Sequence, residues 1–209
     1  MGIHVYLQSL NKLERINRCP GEFKFEEHNV ASHSFKVTQY AQLLATIEEQ
    51  KGSVVDWKSL YEKAINHDFS EVFIGDIKTP VKYSSPVLRQ MLAQVEEAMV
   101  KKFVEEEFPA ELQEVYLERF GEGKDETLEG KILSVADKLD QLYESYNEIQ
   151  RGNTEEVYVT VYKKALLAIK KIEIPSVNYF FEVILPEMLE EKTNSPVDIR
   201  QITEEVLAE

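Results

Sequence analysis

Apolar residues recur at intervals of three and four positions along most of this 209-residue chain, and this spacing is the strongest constraint on its fold. Ile3, Leu7 and Leu10 follow it in the first segment, and Val30 and Val37 follow it in the second. Residues spaced in this way lie on one face of an α-helix. We therefore predict an all-α fold.

Capping and breaking residues predict where several helices begin and end. Ser85 can cap a helix that has Pro86 in its first turn and runs through Phe103, and Gly152 is typical of a helix C-terminus. Further helices are predicted over residues 109–120, 126–150, 154–172, 176–191 and 198–208. β-branched residues within 157–164 weaken the third of these. Irregular segments are predicted at 18–23 and 75–86, where they would line a site, and at 121–126, as a plain solvated connection.

Length, charge and cysteine content limit the classes of protein that this chain can belong to. No shift in composition divides the chain, so residues 1–209 are predicted to form a single domain. The net charge of -14 argues against nucleic acid and membranes as partners, and no segment approaches the roughly 20 apolar residues of a membrane span. Cys19 is the one cysteine, which excludes an internal disulfide. The N-terminal segment lacks the apolar core of a signal peptide, so we expect a cytoplasmic protein.

Four histidine and aspartate side chains interrupt otherwise apolar helix faces. His33 lies on the inner face of the second helix, His67 and Asp68 on that of the third, and Asp137 on that of helix 126–150. A buried carboxylate without a partner costs several kcal/mol, so each aspartate needs a cation, strong donors or a metal. Taken singly, an inward histidine is usually a core residue and an inward aspartate a cap or half of an ion pair. Taken together, two imidazoles and two carboxylates suit a divalent transition metal.

The order His33, His67, Asp68 and Asp137 resembles the H…HD…D signature of the HD-domain superfamily of metal-dependent phosphohydrolases. The segments LNKLERINRCP, HNVASHSF, NHDFSEVFIGDIKTPVKY and KILSVADKLDQLYES resemble, in order and spacing, the YfbR-like 5′-deoxynucleotidases over most of the chain. The resemblance implies an HD-domain helical bundle, usually a homodimer. It also implies hydrolysis of (deoxy)ribonucleoside 5′-monophosphates to nucleoside and phosphate by metal-bound water, with one divalent ion such as cobalt or manganese.

The resemblance also implies roles for individual residues. The implied metal ligands are His33, His67, Asp68 and Asp137. The implied catalytic residues are Arg18, which orients the phosphate, Asp68 and Glu71. The implied substrate contacts are Arg18, Cys19, Asp68, Asp76, Ile77, Lys78, Thr79 and Asp137. Family members have Trp where this chain has Cys19, which removes an aromatic surface for the sugar or base.

The chemistry of these side chains agrees with the implied roles. Arg18 has a planar fork of donors that can bind two phosphate oxygens, and Glu71 lies one helical turn beyond His67, where it could orient a water or accept its proton. Lys82 could add a second positive charge, although an exposed loop lysine is its plainer interpretation. Only two other histidines remain, so we favour one metal ion over two.

Three other interpretations stay open from the sequence. The chain could be a nucleotide sensor that binds without turnover, a phosphohydrolase of another small phosphate ester, or a helical interaction domain with interior ion pairs. Arg18 and Glu71 argue against the sensor, because binding alone needs no group that activates water. We expect no Lys or Arg on the inner face of the same helices near His67 and Asp68, which argues against interior ion pairs.

Overall fold

The computed structural model describes residues 2–77, 79–82, 84–121, 123–193 and 195–208 of the chain. Within these ranges the regular structure is helical, and the β-type pairing found there is one isolated bridge between Asn17 and Asn29. The all-α prediction is confirmed. Among the described helices, none is both long enough and apolar enough to cross a membrane.

The helices follow one another along the chain, and residues 14–29 form the longest connection between them. In chain order they are α1 (Ile3–Leu13), α2 (Val30–Gln50), α3 (Trp57–Asn66), α4 (Glu71–Ile74), α5 (Thr79–Lys82), α6 (Pro86–Glu107), α7 (Ala110–Gly121), α8 (Leu128–Gln150), α9 (Glu156–Lys170), α10 (Pro175–Tyr179), α11 (Leu185–Glu190) and α12 (Ile199–Ala208). A π-helical segment, Phe180–Ile184, joins α10 to α11.

Several predicted helix ends are confirmed by the capping contacts. The Ser85 hydroxyl accepts a hydrogen bond from the Leu88 amide at 3.3 Å, and Pro86 begins α6. Gly152 follows α8 with a φ of 93°, a conformation in which glycine costs little. The β-branched residues of 157–164 lie within α9, where Tyr158 and Tyr162 of the same segment are buried, so packing of the whole helix outweighs their weak helix propensity.

The prediction that one helix carries His67, Asp68 and Glu71 is wrong. Helix α3 ends at Asn66, whose side-chain amide donates to the Glu62 carbonyl at 2.8 Å and so satisfies an acceptor of the last turn. His67 and Asp68 lie in the turn that follows, and Glu71 begins α4.

The predicted helix 176–191 is helical up to residue 190, but it is not a regular α-helix. The Leu185 amide donates to the Phe180 carbonyl, five residues earlier, instead of to the residue four earlier. Pro186 explains the change, because it has no amide hydrogen and its ring excludes the carbonyl of residue 182 from the usual position. The wider π turn accommodates the proline without ending the helix.

Contacts between the described residues divide the chain into two compact units. The first unit comprises residues 1–22, 27–35 and 62–123, and the second comprises residues 23–26, 36–61 and 124–209. A single domain spanning 1–209 therefore stays a prediction.

The core of the first unit is aromatic and lies next to the turn after α3. Val100, Val104 and Phe108 form its buried centre on and just after α6. The rings of Phe69 and Phe120 stack with centroids 4.1 Å apart and planes 7° from parallel. Because Phe69 directly follows Asp68 in the chain, this packing holds the turn that carries His67 and Asp68.

The core of the second unit is formed mainly by α8 and α9. Their fully buried side chains include Leu142 and Ile149 from α8, and Tyr162 and Leu166 from α9. Glu148, on the same helix as Leu142, is also buried and accepts hydrogen bonds from the backbone amides of residues 25 and 26 and from the side chain of residue 153. These bonds anchor segment 23–26 to α8.

Candidate metal centre

Three predicted metal ligands of the first unit converge on one point. His33 lies on α2 and is fully buried, and the side chains of His67 and Asp68 are 4% and 22% exposed. His33 Nε2 lies 3.1 Å from His67 Nε2 and 3.2 Å from Asp68 Oδ2, and His67 Nε2 lies 3.3 Å from the same carboxylate oxygen.

A backbone carbonyl sets the orientation of the His67 ring. His67 Nδ1 lies 2.9 Å from the Ala64 carbonyl oxygen. A carbonyl can only accept a hydrogen bond, so Nδ1 carries the hydrogen and Nε2 of the neutral ring keeps its lone pair. Metal-binding histidines are commonly held in this way.

Asp68 is held in its ionised form by the two histidines. Burial by itself would raise the pKa of this carboxyl group. When protons on the imidazole Nε2 atoms take the place of a metal, attraction to His67 and hydrogen bonds from His33 and His67 outweigh that effect and place the pKa of Asp68 well below its usual range. An ionised carboxylate is the form that binds a metal.

The donor set of this cluster fits a divalent transition metal. The ligand atoms of His33, His67 and Asp68 all lie within 4.8 Å of one another. Lone pairs that point at one position repel unless a proton or a cation lies between them, and two nitrogens with one oxygen are ligands suited to zinc, manganese or cobalt.

Arg18 and Glu71 lie beside this cluster in the same unit. Arg18 Nη1 is 3.9 Å from Asp68 Oδ2, and the Arg18 side chain is only 10% exposed. Glu71 Oε2 is buried and has no hydrogen-bond partner among the described residues. Burial, reinforced by the negative charges of Asp68 and Asp76, raises the pKa of Glu71 to about 8, although Arg18 and His33 partly oppose the change.

The predicted substrate loop is joined to the Arg18 segment by a hydrogen bond. The Cys19 amide donates to Asp76 Oδ2 at 3.0 Å, and Ile77 is half-buried. Thr79 begins the short helix α5. Lys78 and the side chain of Thr79 lie outside the described part of the structure. Lys82, the other predicted cation, pairs with Glu96 at 3.2 Å.

Asp137, the fourth predicted ligand, lies in the second unit on α8. Its Oδ2 is 2.5 Å from Lys124 Nζ and 3.3 Å from Lys138 Nζ, and its Oδ1 accepts a hydrogen bond from Gln141 at 3.2 Å. The segment 121–126 is therefore more than the solvated connection that we predicted. A lone lysine in a polar, glycine-containing segment gives no sequence signal for such a contact. The metal-binding role of Asp137 stays a prediction.

Solved structures share this fold. A crystal structure of an HD-domain phosphohydrolase from Listeria innocua is 54% identical, with a TM-score of 0.95, and the match covers 100% of this chain and 99% of that one. The HD phosphohydrolase of cyanophage S-2L, bound to dA and one catalytic Zn²⁺ ion, is 14% identical with a TM-score of 0.62, covering 88% of this chain and 96% of that one, which shows a likeness of fold alone. The helical architecture and the His33, His67 and Asp68 cluster thus define an HD-domain, metal-dependent phosphohydrolase.

Sequence comparison identifies the family within this class. The family model for 5′-deoxynucleotidase YfbR-like proteins matches residues 5–188, and the chain belongs to that family. The 5′-deoxynucleotidase YfbR of Shigella dysenteriae serotype 1 is 30% identical over 182 residues, which cover 87% of this chain and 90% of that protein. The 5′-deoxynucleotidase plu3092 of Photorhabdus laumondii is 31% identical and covers 87% and 91%. The resemblance seen in the sequence is confirmed, and the chain is an enzyme of the 5′-nucleotidase class.

Proposed function

We propose that this enzyme hydrolyses deoxyribonucleoside 5′-monophosphates to nucleosides and inorganic phosphate, and that it uses one divalent transition-metal ion. The observation that carries the proposal is the convergence of His33, His67 and Asp68 beside a buried arginine and a buried carboxyl group. Asp137 is the proposed fourth ligand. Relatives named 5′-deoxynucleotidases support the deoxyribonucleotide preference, and the single zinc and the dA of the cyanophage structure support one ion and a nucleoside ligand.

The ion and the arginine have separate roles in binding phosphate. His33, His67 and Asp68 would hold a divalent ion, which would lower the pKa of a water to provide a nucleophile and would offset the charge of the phosphate. Arg18 offers a planar set of donors that can bind two phosphate oxygens at once. Its Nη1 lies 3.9 Å from Asp68 Oδ2, so those donors lie beside a proposed metal ligand.

Glu71 is the group to which we assign proton transfer. Its Oε2 is buried, has no partner among the described residues, and belongs to a carboxyl group whose pKa of about 8 in the metal-free protein would be lowered by the positive charge of a bound ion. A group with a pKa near the working pH can both accept and donate a proton. Glu71 can therefore take a proton from the attacking water and return one to the nucleoside oxygen that leaves.

Phosphate release from a matched set of substrates tests this proposal. The protein would be stripped with a chelator, restored with zinc, manganese or cobalt, and given deoxyribonucleotides, ribonucleotides and a base-free phosphomonoester. We expect metal-dependent release that is fastest from the deoxyribonucleotides. Asp68→Ala should lose both bound metal and activity, and Arg18→Ala should lose activity while it retains the metal.

Arg119→Ala is the matched control, because Arg119 lies in the same unit but pairs with Glu62 at 2.9 Å. Stoichiometric metal binding without turnover of any substrate would indicate a sensor instead. Equal rates with the base-free ester would indicate a different phosphate ester as the substrate.

We also propose a homodimer, on the strength of the family resemblance. Sedimentation equilibrium at micromolar protein concentration would give twice the chain mass of 24.2 kDa. A mass equal to that of a single chain would exclude the dimer.

A further inference from the structure

The backbone of Arg18 and Cys19 is held at three points within the first unit. The Arg18 amide donates to the His28 carbonyl at 2.9 Å, and the Cys19 amide donates to Asp76 Oδ2 at 3.0 Å. The Cys19 carbonyl accepts a hydrogen bond from the Glu22 amide at 3.3 Å. Two of these bonds are between backbone groups close to this segment. The third comes from a side chain 57 residues further along the chain.

Cys19 adopts a backbone conformation that residues with side chains rarely adopt. Its φ is 49°, the one positive value among the described residues other than glycine. The left-handed region is sterically unfavourable for such residues and persists when surrounding contacts hold it. A hydrogen bond to an ionised carboxylate is stronger than one to a neutral acceptor, so the Asp76 contact is well suited to this purpose.

The position of Asp76 depends on the glycine before it. Gly75 has a φ of 73°, and a Cβ at this position would meet no atom within 4 Å. The backbone conformation, and not lack of space, therefore favours glycine here. This turn presents the Asp76 carboxylate to the Cys19 amide.

The amide that Asp76 holds belongs to the peptide group between Arg18 and Cys19. Because a peptide group is planar, fixing its N–H also fixes the Arg18 carbonyl and Cα. The Arg18 amide is already bonded to His28, so both sides of the Arg18 Cα are held. Only side-chain rotations then remain to place the guanidinium, 3.9 Å from Asp68.

We propose that Asp76 is a positioning residue for Arg18. Its carboxylate holds the Cys19 amide, keeps residue 19 in the left-handed conformation, and so directs the Arg18 guanidinium toward Asp68. This role differs from the substrate contact predicted for Asp76 from the family resemblance. Only the expected effect on catalysis rests on the proposed function, because the hydrogen bond between Asp76 and the Cys19 amide exists in the protein without a substrate.

Amide hydrogen exchange of the metal-free protein tests the structural part of this proposal. In Asp76→Ala the Cys19 amide should exchange about tenfold faster or more, because a charge-assisted hydrogen bond is lost. Asp76→Asn removes the charge but retains an oxygen acceptor, so it should restore most of the protection. Asp56→Ala is the control, because the Asp56 carboxylate also accepts a hydrogen bond from a backbone amide, that of Ser59 in α3, at 3.1 Å. Unchanged exchange at Cys19 in Asp76→Ala would overturn the proposal.

A double-mutant cycle separates positioning from direct substrate contact. If Asp76 acts through Arg18, the double variant that carries both Arg18→Ala and Asp76→Ala should have a kcat/KM within about twofold of that of the single variant Arg18→Ala. If Asp76 contacts the substrate by itself, the two losses should multiply, and the positioning role would be refuted. A wild-type protein that hydrolyses no nucleotide would refute the proposed function, and the exchange measurement would still decide the role of Asp76. Thermal unfolding of each variant would identify any that fail to fold.

Discussion

Replacing Glu71 with glutamine should stabilise the metal-free protein at neutral pH, although it removes a carboxyl group that we assign to proton transfer. Burial and the charges of Asp68 and Asp76 raise the pKa of Glu71 from its ordinary 4.5 to about 8. Each pKa unit corresponds to about 1.4 kcal/mol. At pH 7 the free energy of unfolding of the wild type is therefore about 3 kcal/mol lower than it would be with a side chain that stays neutral. Glutamine has nearly the same shape and cannot ionise.

The sign of the effect sets its pH range. Below pH 4.5, Glu71 is protonated in both the folded and the unfolded chain, so its contribution to stability is fully present. Between pH 4.5 and 8 the unfolded chain releases the proton while the folded protein keeps it, and the free energy of unfolding falls. The wild type should therefore lose stability across this range. Glu71→Gln should lose less.

Thermal unfolding in the presence of a chelator, at intervals from pH 4.5 to 8.5, would measure the difference. Glu107→Gln is a suitable control, because it removes one buried carboxylate from the same unit without touching Asp68 or Asp76. The melting temperatures of wild type and Glu71→Gln should converge at pH 4.5 and separate as the pH rises. Parallel curves for the two proteins would refute the reasoning. With metal restored, the stabilised variant should have lost turnover, as expected when a functional group is held in an unfavourable environment.

Three further substitutions test the packing within each of the two units. Phe69→Ala should cost about 3 to 4 kcal/mol in urea unfolding and weaken metal binding, because the ring stacks on Phe120 and directly follows Asp68; unchanged metal affinity would contradict the link. Glu148→Ala should cost about 3 kcal/mol and expose segment 23–26 to proteolysis, because it leaves two backbone amides without their buried acceptor; intact protein after limited digestion would contradict this. Burial raises the pKa of Tyr162 to about 12, so wild-type stability should fall between pH 10 and 12, and Tyr162→Phe should show a smaller fall by circular dichroism. Equal losses of stability in the wild type and in Tyr162→Phe would show that ionisation of Tyr162 does not cause the fall.

The local features of this protein were predicted from its sequence. The spacing of apolar residues predicted the helices, and Ser85 and Gly152 predicted helix ends, because helix formation and capping depend on neighbours within one or two turns. The order of His33, His67 and Asp68 also predicted a cluster, and the three side chains do converge.

Tertiary structure decided what depends on residues far apart in the chain. The spacing of apolar residues predicted that α3 continues through Glu71. In the structure α3 ends at Asn66, and His67 and Asp68 lie in a turn that brings Asp68 within 3.2 Å of His33 on α2. Neither the contact between Asp76 and Cys19 nor that between Lys124 and Asp137 follows from any local pattern. Helix periodicity is a property of the nearby backbone and can be predicted from a short segment. The left-handed conformation of Cys19 is held by a carboxylate distant in the chain, and the raised pKa of Glu71 arises chiefly from burial, which only folding produces.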